Sequence, residues 1–416
     1  MVRRTSLLLV AAGALAACAE QVGGPTLGLV PSAGAPLAGN PPVGAGGHVA
    51  LLTPLTGPYA DRGQALEQAA QLALAAPGAP TLDARDTGGT PAGAAAAARA
   101  ALANGDGVIL GPLTAGETAA VAGPARAAGV PVLAFTNDPA AAQPGVWTLG
   151  ITPAQQVRRL VGAVAAAGKT RIAALLPPSP FGQAMAGALR EAAAAASLPA
   201  PDIRMHDGSN AGIQQMLRDL SDYANRRGPI DAKIRQARAK QTPEGRAEAA
   251  DLAKTPIPPP PFDALLLADT GEKLAWAMSF LGYYDVEAPA VQLLGPSLWA
   301  SPTLRGGANL NGAWYAAPDP EARATFVQDY QARFGAPPPG LADFAYDAAA
   351  IARVLGASGG YSAAQLTRQQ GFAGVDGVFA LLPDGHVRRG LAVFAIHPGG
   401  PAVVESAPTA FGGPGI

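Results

Sequence analysis

Short apolar runs and amphipathic stretches alternate along the chain from residue 48. The first unit, HVALLTPLTGPYADRGQALEQAAQLAL at 48–74, holds an apolar run at 49–52, a loop at 53–58 and a helical pattern. The i, i+3, i+4, i+7, i+8 spacing of one buried helix face is carried by Leu66, Ala69, Ala70, Ala73 and Leu74. Pro58 suits the first position of that helix. The free N–H groups of its first turn are then expected to face the space beyond the strand end, where open α/β sheets hold ligands.

The same alternation repeats in two series. The first series has predicted strands at 81–85, 107–110 and 130–135 and predicted helices at 93–103 and 117–128. The second has predicted strands at 171–176, 203–206, 264–268 and 291–294 and predicted helices at 181–196, 211–220 and 272–281. Strands that alternate with helices form parallel βαβ units. The sequence therefore predicts an α/β protein with two doubly wound parallel-sheet lobes.

The C-terminal part departs from this alternation. Predicted helices at 321–334 and 341–355 precede two apolar runs, at 378–382 and 387–396. Asp384-Gly385 lies between those runs and predicts a hairpin. The Pro- and Gly-rich tail at 401–416 is expected to be frayed.

The N-terminus has the pattern of an export signal. Arg3-Arg4 precedes an apolar run at 7–17, which is shorter than the roughly 20 residues that span a bilayer. Cys18 follows directly and is the only cysteine of the chain. Leu15-Ala16-Ala17-Cys18 resembles the bacterial lipobox, and this resemblance implies that Cys18 is lipidated, the alternatives being an unused thiol or a disulfide between chains. Residues 1–17 are thus predicted to be a signal peptide, and the Gly-, Pro- and Ala-rich segment 18–47 a flexible tether.

Charge is sparse except in one segment. Charged residues are 14% of the chain, against roughly 25% in average proteins, and the formal net charge is −1, so no nucleic-acid partner is expected. The segment 223–261 interrupts the second series, and between Arg226 and Lys254 it has eight Lys or Arg against four Asp or Glu. It is predicted to be a helical hairpin broken at Thr242-Pro243. Such a segment is either a solvated helical pair or a docking surface for an acidic partner or an anionic polymer.

Catalytic residues are poorly supplied. The four histidines, His48, His206, His386 and His397, lie at or near predicted strand or turn ends, where packing or surface roles are usual. The chain has no G-x-S-x-G, G-x-x-x-x-G-K-[ST], H-E-x-x-H or S-x-x-K motif. The protein is therefore predicted to bind and not to catalyse, with no cofactor and no metal site.

Several segments together resemble the type 1 periplasmic binding proteins, in the branch of the leucine/isoleucine/valine receptors. HVALLTPLTGPYADRG resembles the first strand and cleft loop of that family, VILGPLTAGET its third strand and ligand loop, and VPVLAFTND the strand that ends the first lobe. KTRIAALLPPSPFGQAMAGALR is similar to the opening of the second lobe. The resemblance implies a binding-protein domain at 48–400, with two lobes joined by a three-segment hinge. Lobe 1 is expected at about 48–150 and 313–372, and lobe 2 at about 151–312 and 373–400.

Within that family the chain looks closest to penicillin-binding-protein activator lipoproteins. Leu15-Ala16-Ala17-Cys18 resembles a lipobox, and the basic insertion is followed by PPPPFDALLLAD, VQLLGPSLW and GAWYAAPDPEARATFVQDYQARFG. This resemblance implies a periplasmic lipoprotein that touches a peptidoglycan synthase and meets the membrane only through its lipid. The absence of Asp after Cys18 favours the outer membrane. The alternative is the substrate-binding protein of an ABC-type branched-chain amino-acid transporter.

The resemblance to amino-acid receptors also implies a set of cleft residues. They are Tyr59, Leu113, Thr114 and Thr136 from lobe 1, and Phe181, Asp269 and Trp299 from lobe 2. Thr114 and Thr136 would donate hydrogen bonds to a ligand carboxylate, and Asp269 would balance an ammonium group. The alternatives are ordinary turn threonines and an Asp269 that caps the helix at 272–281. An activator needs no bound amino acid, so its cleft is free to be empty.

Overall fold

The structure is a computed structural model and describes residues 47–411. The predicted signal peptide, Cys18 and all but the last residue of the predicted tether lie outside the described residues. In chain order the helices and strands are β1 (His48–Thr53), α1 (Ala60–Ala73), β2 (Thr81–Asp86), α2 (Pro91–Asn104), β3 (Ile109–Leu110), α3 (Ala115–Ala128), β4 (Val132–Ala134), β5 (Val146–Thr148), α4 (Pro153–Ala166), β6 (Ile172–Leu176), α5 (Pro180–Ala195), β7 (Asp202–Met205), α6 (Asn210–Leu220), α7 (Tyr223–Ala239), α8 (Pro243–Ala253), β8 (Ala264–Leu267), α9 (Gly271–Tyr283), β9 (Gln292–Gly295), β10 (Trp314–Ala317), α10 (Pro320–Phe334), α11 (Ala342–Ala357), α12 (Ala363–Leu366), β11 (Phe372–Gly374), β12 (Gly377–Leu381), β13 (Val387–Arg389), β14 (Ala392–His397) and β15 (Gly400–Glu405).

Lobe 1 is built on a parallel five-stranded sheet with the strand order β2-β1-β3-β4-β5. The strand β1 is buried on both faces because helices cover both sides of the sheet. Leu51 packs in a core shared with α1 and α11, whereas Leu52 packs in a core shared with α2 and α3. The helix α1 begins at Ala60 with Tyr59 as its N-cap residue, so Pro58 lies one residue outside the helix. The prediction of Pro58 at the first helical position is therefore wrong.

Lobe 2 is built on a seven-stranded mixed sheet with the order β15-β14-β10-β9-β8-β6-β7. The strands from β6 to β10 are parallel, and β14 and β15 add to them in antiparallel register. The strand β15 corrects the prediction of a frayed tail from residue 401, because it pairs with β14 as far as Glu405. The carboxylate of Glu405 also accepts a hydrogen bond of 2.7 Å from the buried Arg159. This contact fixes the end of β15 to α4.

The chain crosses between the lobes three times, after β5, after β10 and after β13. The second and third crossings differ from the predicted boundaries. The strand β10 belongs to lobe 2, so the lobe 1 segment predicted to start at 313 begins with α10, whose Phe326 and Tyr330 join the lobe 1 core. The three-stranded sheet β11-β12-β13 also packs on lobe 1, through Phe372 and Phe379. The residues 373–389 thus lie in lobe 1, and the apolar run at 387–396 is divided between the lobes.

Buried polar side chains of α4 tie the crossings together. Gln155 donates a hydrogen bond of 2.6 Å to the carbonyl of Val387, and Arg159 donates one of 2.6 Å to the carbonyl of Leu391. From the lobe 1 side, Arg389 donates to the carbonyl of Leu149. Two side chains of α4 therefore bind the backbone of the third crossing, Gln155 on its lobe 1 side and Arg159 on its lobe 2 side.

Candidate functional site

A cavity of about 540 Å³ opens at the carboxyl ends of the lobe 1 strands. It brings together four predicted site residues, namely Tyr59, Leu113, Thr114 and Thr136. Further lining residues that sequence reasoning missed are Arg62, Ala115, Phe135, Asn137, Asp138, Ile151 and Phe344. Arg62 could have been found from the sequence, because it lies one helical turn beyond Tyr59. Phe344 could not, because it lies in the first turn of α11, which is distant in sequence. The cavity wall thus combines a guanidinium group, hydroxyls and three aromatic rings.

The β1–α1 loop at the edge of this cavity is held in place by Asp86 at the end of β2. The carboxylate accepts hydrogen bonds from the backbone N–H groups of Leu55 and Thr56, from the Thr56 hydroxyl and from the Gly88 N–H. Burial alone would raise the pKa of Asp86, but these four hydrogen bonds together lower it. The loop is therefore fixed by an ionised side chain on a neighbouring strand.

Thr114 is already occupied by local contacts. Its hydroxyl accepts from the Glu117 N–H and donates to the Glu117 carboxylate at 2.7 Å, in a capping box at the start of α3. The hydroxyl of Thr87 also donates to this buried carboxylate. Thr114 is thus a helix-cap residue, a local role that sequence reasoning did not specify, and its hydroxyl proton is used by Glu117. Thr136, by contrast, accepts one hydrogen bond from the Asp138 N–H, which leaves its hydroxyl proton for a ligand.

The structure does not bring the three predicted lobe 2 residues into this cavity. The Asp269 carboxylate is buried and lies 2.9 Å from Nε2 of His206. It caps no helix, since the N-cap residue of α9 is Thr270. Trp299 is 0% exposed in the lobe 2 core, and its Nε1–H donates to the Asp269 carbonyl at 3.0 Å. Phe181 packs at the start of α5 against the other lobe 2 core. None of the three is among the residues that line this cavity, and Asp269 and Trp299 are buried within lobe 2.

Residues 47–411 contain no metal-binding cluster and no membrane-spanning helix. Among residues 47–411, no group of three or more His, Cys, Asp or Glu is placed to hold a metal ion. Within that same range, no helix combines the length and the apolar character needed to cross a bilayer.

The basic insertion forms the predicted helical hairpin. The helices α7 and α8 pack through Ile234, Ala237 and Ala249, and the chain reverses at Gln241, which has a φ of 54°. Thr242 then caps α8 by accepting from the Gly245 N–H at 3.1 Å. The Thr-Pro break predicted from the sequence is confirmed, because a cap hydroxyl followed by proline starts a helix.

Two α/β lobes with three crossings and a cavity beside the first crossing define a two-lobed binding protein. A family described as periplasmic binding protein matches residues 48–401, so the chain belongs to the periplasmic binding protein family. No curated protein matches the chain by sequence.

Solved structures share this fold at low sequence identity. A putative branched-chain amino acid ABC transporter protein from Rhodospirillum rubrum matches with a TM-score of 0.65 and 21% identity, over 86% of this chain and 99% of its own. The C-domain of LpoA from Haemophilus influenzae, described as a regulator of PBP1A, matches with a TM-score of 0.62 and 16% identity, over 86% and 99% of the two chains. Full-length LpoA from the same organism matches with a TM-score of 0.62 and 15% identity, over 88% of this chain and 60% of its own. These likenesses show the type 1 periplasmic binding protein fold, in agreement with the sequence prediction.

Proposed function

We propose that the protein is a non-catalytic envelope lipoprotein that binds a peptidoglycan synthase and regulates peptidoglycan synthesis. The observation that carries this proposal is the pairing of Asp269 with His206. An amino-acid receptor needs an anionic group to balance the ligand ammonium, and the lobe 2 acid expected to do so is buried and already paired. The fold likeness to LpoA, a regulator of PBP1A, supports the same role.

The proposed location is the periplasm, with Cys18 lipidated and held in the outer membrane. The segment between Cys18 and the first described residue, 18–46, fully extended at about 3.3–3.6 Å per residue, spans at most about 100 Å. This reach would let the folded domain meet a synthase some distance from the lipid anchor. Regulation would then depend on contact between the two proteins and not on a reaction at the cleft.

Two measurements on the chain from residue 19 to 416 test this proposal, since that span keeps every described residue. Calorimetric titration with a panel of amino acids is expected to give no binding at micromolar concentrations. The rate of glycan-strand synthesis by the synthase of the same organism is expected to change when the chain is added. Micromolar binding of one amino acid together with an unchanged synthase rate would contradict the proposal.

A second candidate is the binding protein of an ABC-type importer for amino acids or other small carboxylates. The specific observation in its favour is Arg62, which lines the cleft cavity beside Tyr59, with its guanidinium carbon 5.5 Å from the tyrosine ring centre. Together with the Thr136 hydroxyl, this cation suits a carboxylate attached to an apolar group. Under this candidate, Arg62→Ala weakens ligand binding at least tenfold, whereas Arg99→Ala, on an exposed face of α2, leaves it unchanged.

A further inference from the structure

The helical hairpin α7–α8 is fixed to lobe 2 by one buried arginine. The Arg226 guanidinium donates hydrogen bonds to four carbonyl oxygens, those of Ser221, Pro258, Tyr284 and Asp285. These acceptors come from the start of the hairpin, the segment after it and the end of α9. A buried guanidinium with this many partners holds the three segments in one arrangement. The hairpin is therefore a rigid projection from lobe 2.

The outer surface of this projection carries unpaired positive charge. Lys240 and Lys254 pair with the carboxylates of Glu248 and Asp251 on the hairpin itself. Four other exposed cations have no carboxylate partner among residues 47–411, namely Lys233, Arg235, Arg238 and Arg246. At 1.5 Å per residue, α7 alone extends about 25 Å, which is long enough for one side of a protein interface of standard size. The hairpin thus presents a cationic surface of interface dimensions.

An exposed tyrosine lies at the base of the hairpin. Tyr283, at the end of α9, is 66% exposed, and its ring centre lies 6.1 Å from that of Tyr223, the first residue of α7. Tyr284 contacts both rings, with ring centres 5.0 Å and 5.1 Å away. An aromatic side chain that two neighbouring rings already hold in place loses little conformational entropy when a partner protein covers it. Tyrosine and arginine are also enriched at the hot spots of protein interfaces.

We propose that the exposed cations of the α7–α8 hairpin, together with Tyr283, form the surface on which an acidic protein partner docks. The proposal rests on the proposed function, because the partner is taken to be an acidic surface of the peptidoglycan synthase. A protein fits better than an anionic polymer, since four carboxylates lie among the cations, of which Asp231, Glu248 and Asp251 pair with hairpin cations and Glu244 has no such partner among residues 47–411. A uniform polyanion would meet these like charges, whereas a folded surface can place its acids opposite the four unpaired cations.

The test is the affinity of residues 19–416 for the synthase of the same organism, measured by biolayer interferometry at low and at physiological salt. Replacing Lys233, Arg235, Arg238 and Arg246 together by Gln is expected to weaken binding at least tenfold and to flatten its salt dependence. Tyr283→Ala is expected to weaken binding at least fivefold. All five residues are exposed, so circular dichroism and the melting temperature should stay at wild-type values.

A matched variant replaces four cations on other surfaces by Gln, namely Lys169, Arg99, Arg190 and Arg333. It makes the same charge change and is expected to keep wild-type affinity. Equal losses in both charge variants, or no loss in the hairpin variant, would overturn the docking surface while leaving the proposed function in place. No binding of the wild-type chain would overturn both. Hairpin-dependent binding to purified peptidoglycan in place of the synthase would assign the surface to an anionic polymer and overturn the protein partner.

Discussion

The Nε2 atom of His206 lies 2.9 Å from an Oδ2 of Asp269, and both side chains are buried in lobe 2. The other ring nitrogen, Nδ1, accepts a hydrogen bond from the Gly208 N–H at 2.9 Å. An acceptor nitrogen carries no proton, so the imidazole proton is on Nε2 and is donated to Asp269. The carboxylate therefore has a hydrogen-bond donor in the residue that follows β7. This relationship gives Asp269 a structural role.

Removal of the histidine should destabilise the protein because it leaves a buried carboxylate without its donor. His206→Ala is expected to lower the free energy of unfolding by about 1–3 kcal/mol. The double variant His206→Ala/Asp269→Ala should be less destabilised than the sum of the two single variants, since neither partner is then left unpaired. Urea unfolding of the four proteins measures this coupling. Additive losses would show that the two side chains do not stabilise each other.

The packing of Trp299 under Gly295 makes a second prediction. A Cβ atom at Gly295 would lie closer than van der Waals distance to the Trp299 indole, whereas one at Gly187, in α5, would meet no atom within 4 Å. Gly295→Ala is therefore expected to cost about 1–3 kcal/mol through overpacking. Gly187→Ala serves as the control and should be neutral or stabilising, because alanine favours a helix. Thermal unfolding compares the two, and an equal effect would place Trp299 outside the lobe 2 core.

The capping box at the start of α3 makes a third prediction. Thr114→Ala removes the hydroxyl that accepts from the Glu117 N–H, and it is expected to cost about 1 kcal/mol of stability. Thr114→Ser keeps the hydroxyl and should remain close to wild type. If Thr114 instead served only a cleft ligand, both variants would unfold at the wild-type urea concentration in the absence of ligand.

Stability should also depend on pH through Asp347 in α11. Burial raises the pKa of this carboxyl to about 7, against the opposing attraction of Arg389, whereas an unfolded aspartate has a pKa of about 3.9. Between these two pKa values the folded chain keeps a proton that the unfolded chain has lost. The free energy of unfolding therefore falls as pH rises from about 4 to about 7.

Asp347→Asn removes this proton and keeps an oxygen for the Val375 N–H, which donates to Asp347 at 2.8 Å. Its melting temperature should fall less than that of the wild type between about pH 4.5 and pH 7. Asp329→Asn, on an exposed face of α10, is the control and should keep the wild-type slope. Parallel slopes for Asp347→Asn and wild type would contradict the assignment.

The sequence predicted the elements with strong periodicity. Its helices agree with α2, α3, α5, α6, α9, α10 and α11 to within two residues at either end, and the hairpin at Asp384-Gly385 is confirmed. Sequence reasoning missed β5 and β10, although their three and four residues equal the lengths of β4 and β8, which it predicted, so length alone does not explain the omission. It also missed α4, whose start is marked by the Thr152 capping box followed by Pro153.

The predicted residues that line the cavity all belong to lobe 1. The resemblance to amino-acid receptors implied Tyr59, Leu113, Thr114 and Thr136, and the structure places these residues around one cavity, beyond the ends of β1, β3 and β4. The lobe 2 cleft residues could not be predicted in the same way. A polar residue that follows a strand can face the cleft, or it can form a hydrogen bond to another side chain inside its own lobe. The choice depends on a partner distant in sequence, and His206 is 63 positions away from Asp269. The lobe boundaries differ for a similar reason, because β10 joins the lobe 2 sheet by pairing with β9 and with β14, which is distant in sequence.

The most direct test of a regulatory role is the rate of peptidoglycan synthesis by the purified synthase of the same organism, with and without residues 19–416. The rate is expected to change with increasing chain concentration and to saturate. It should respond less to the variant in which Lys233, Arg235, Arg238 and Arg246 are Gln, whereas the matched variant at Lys169, Arg99, Arg190 and Arg333 should act like wild type. A rate that stays constant at every concentration of the wild-type chain would contradict the proposed function.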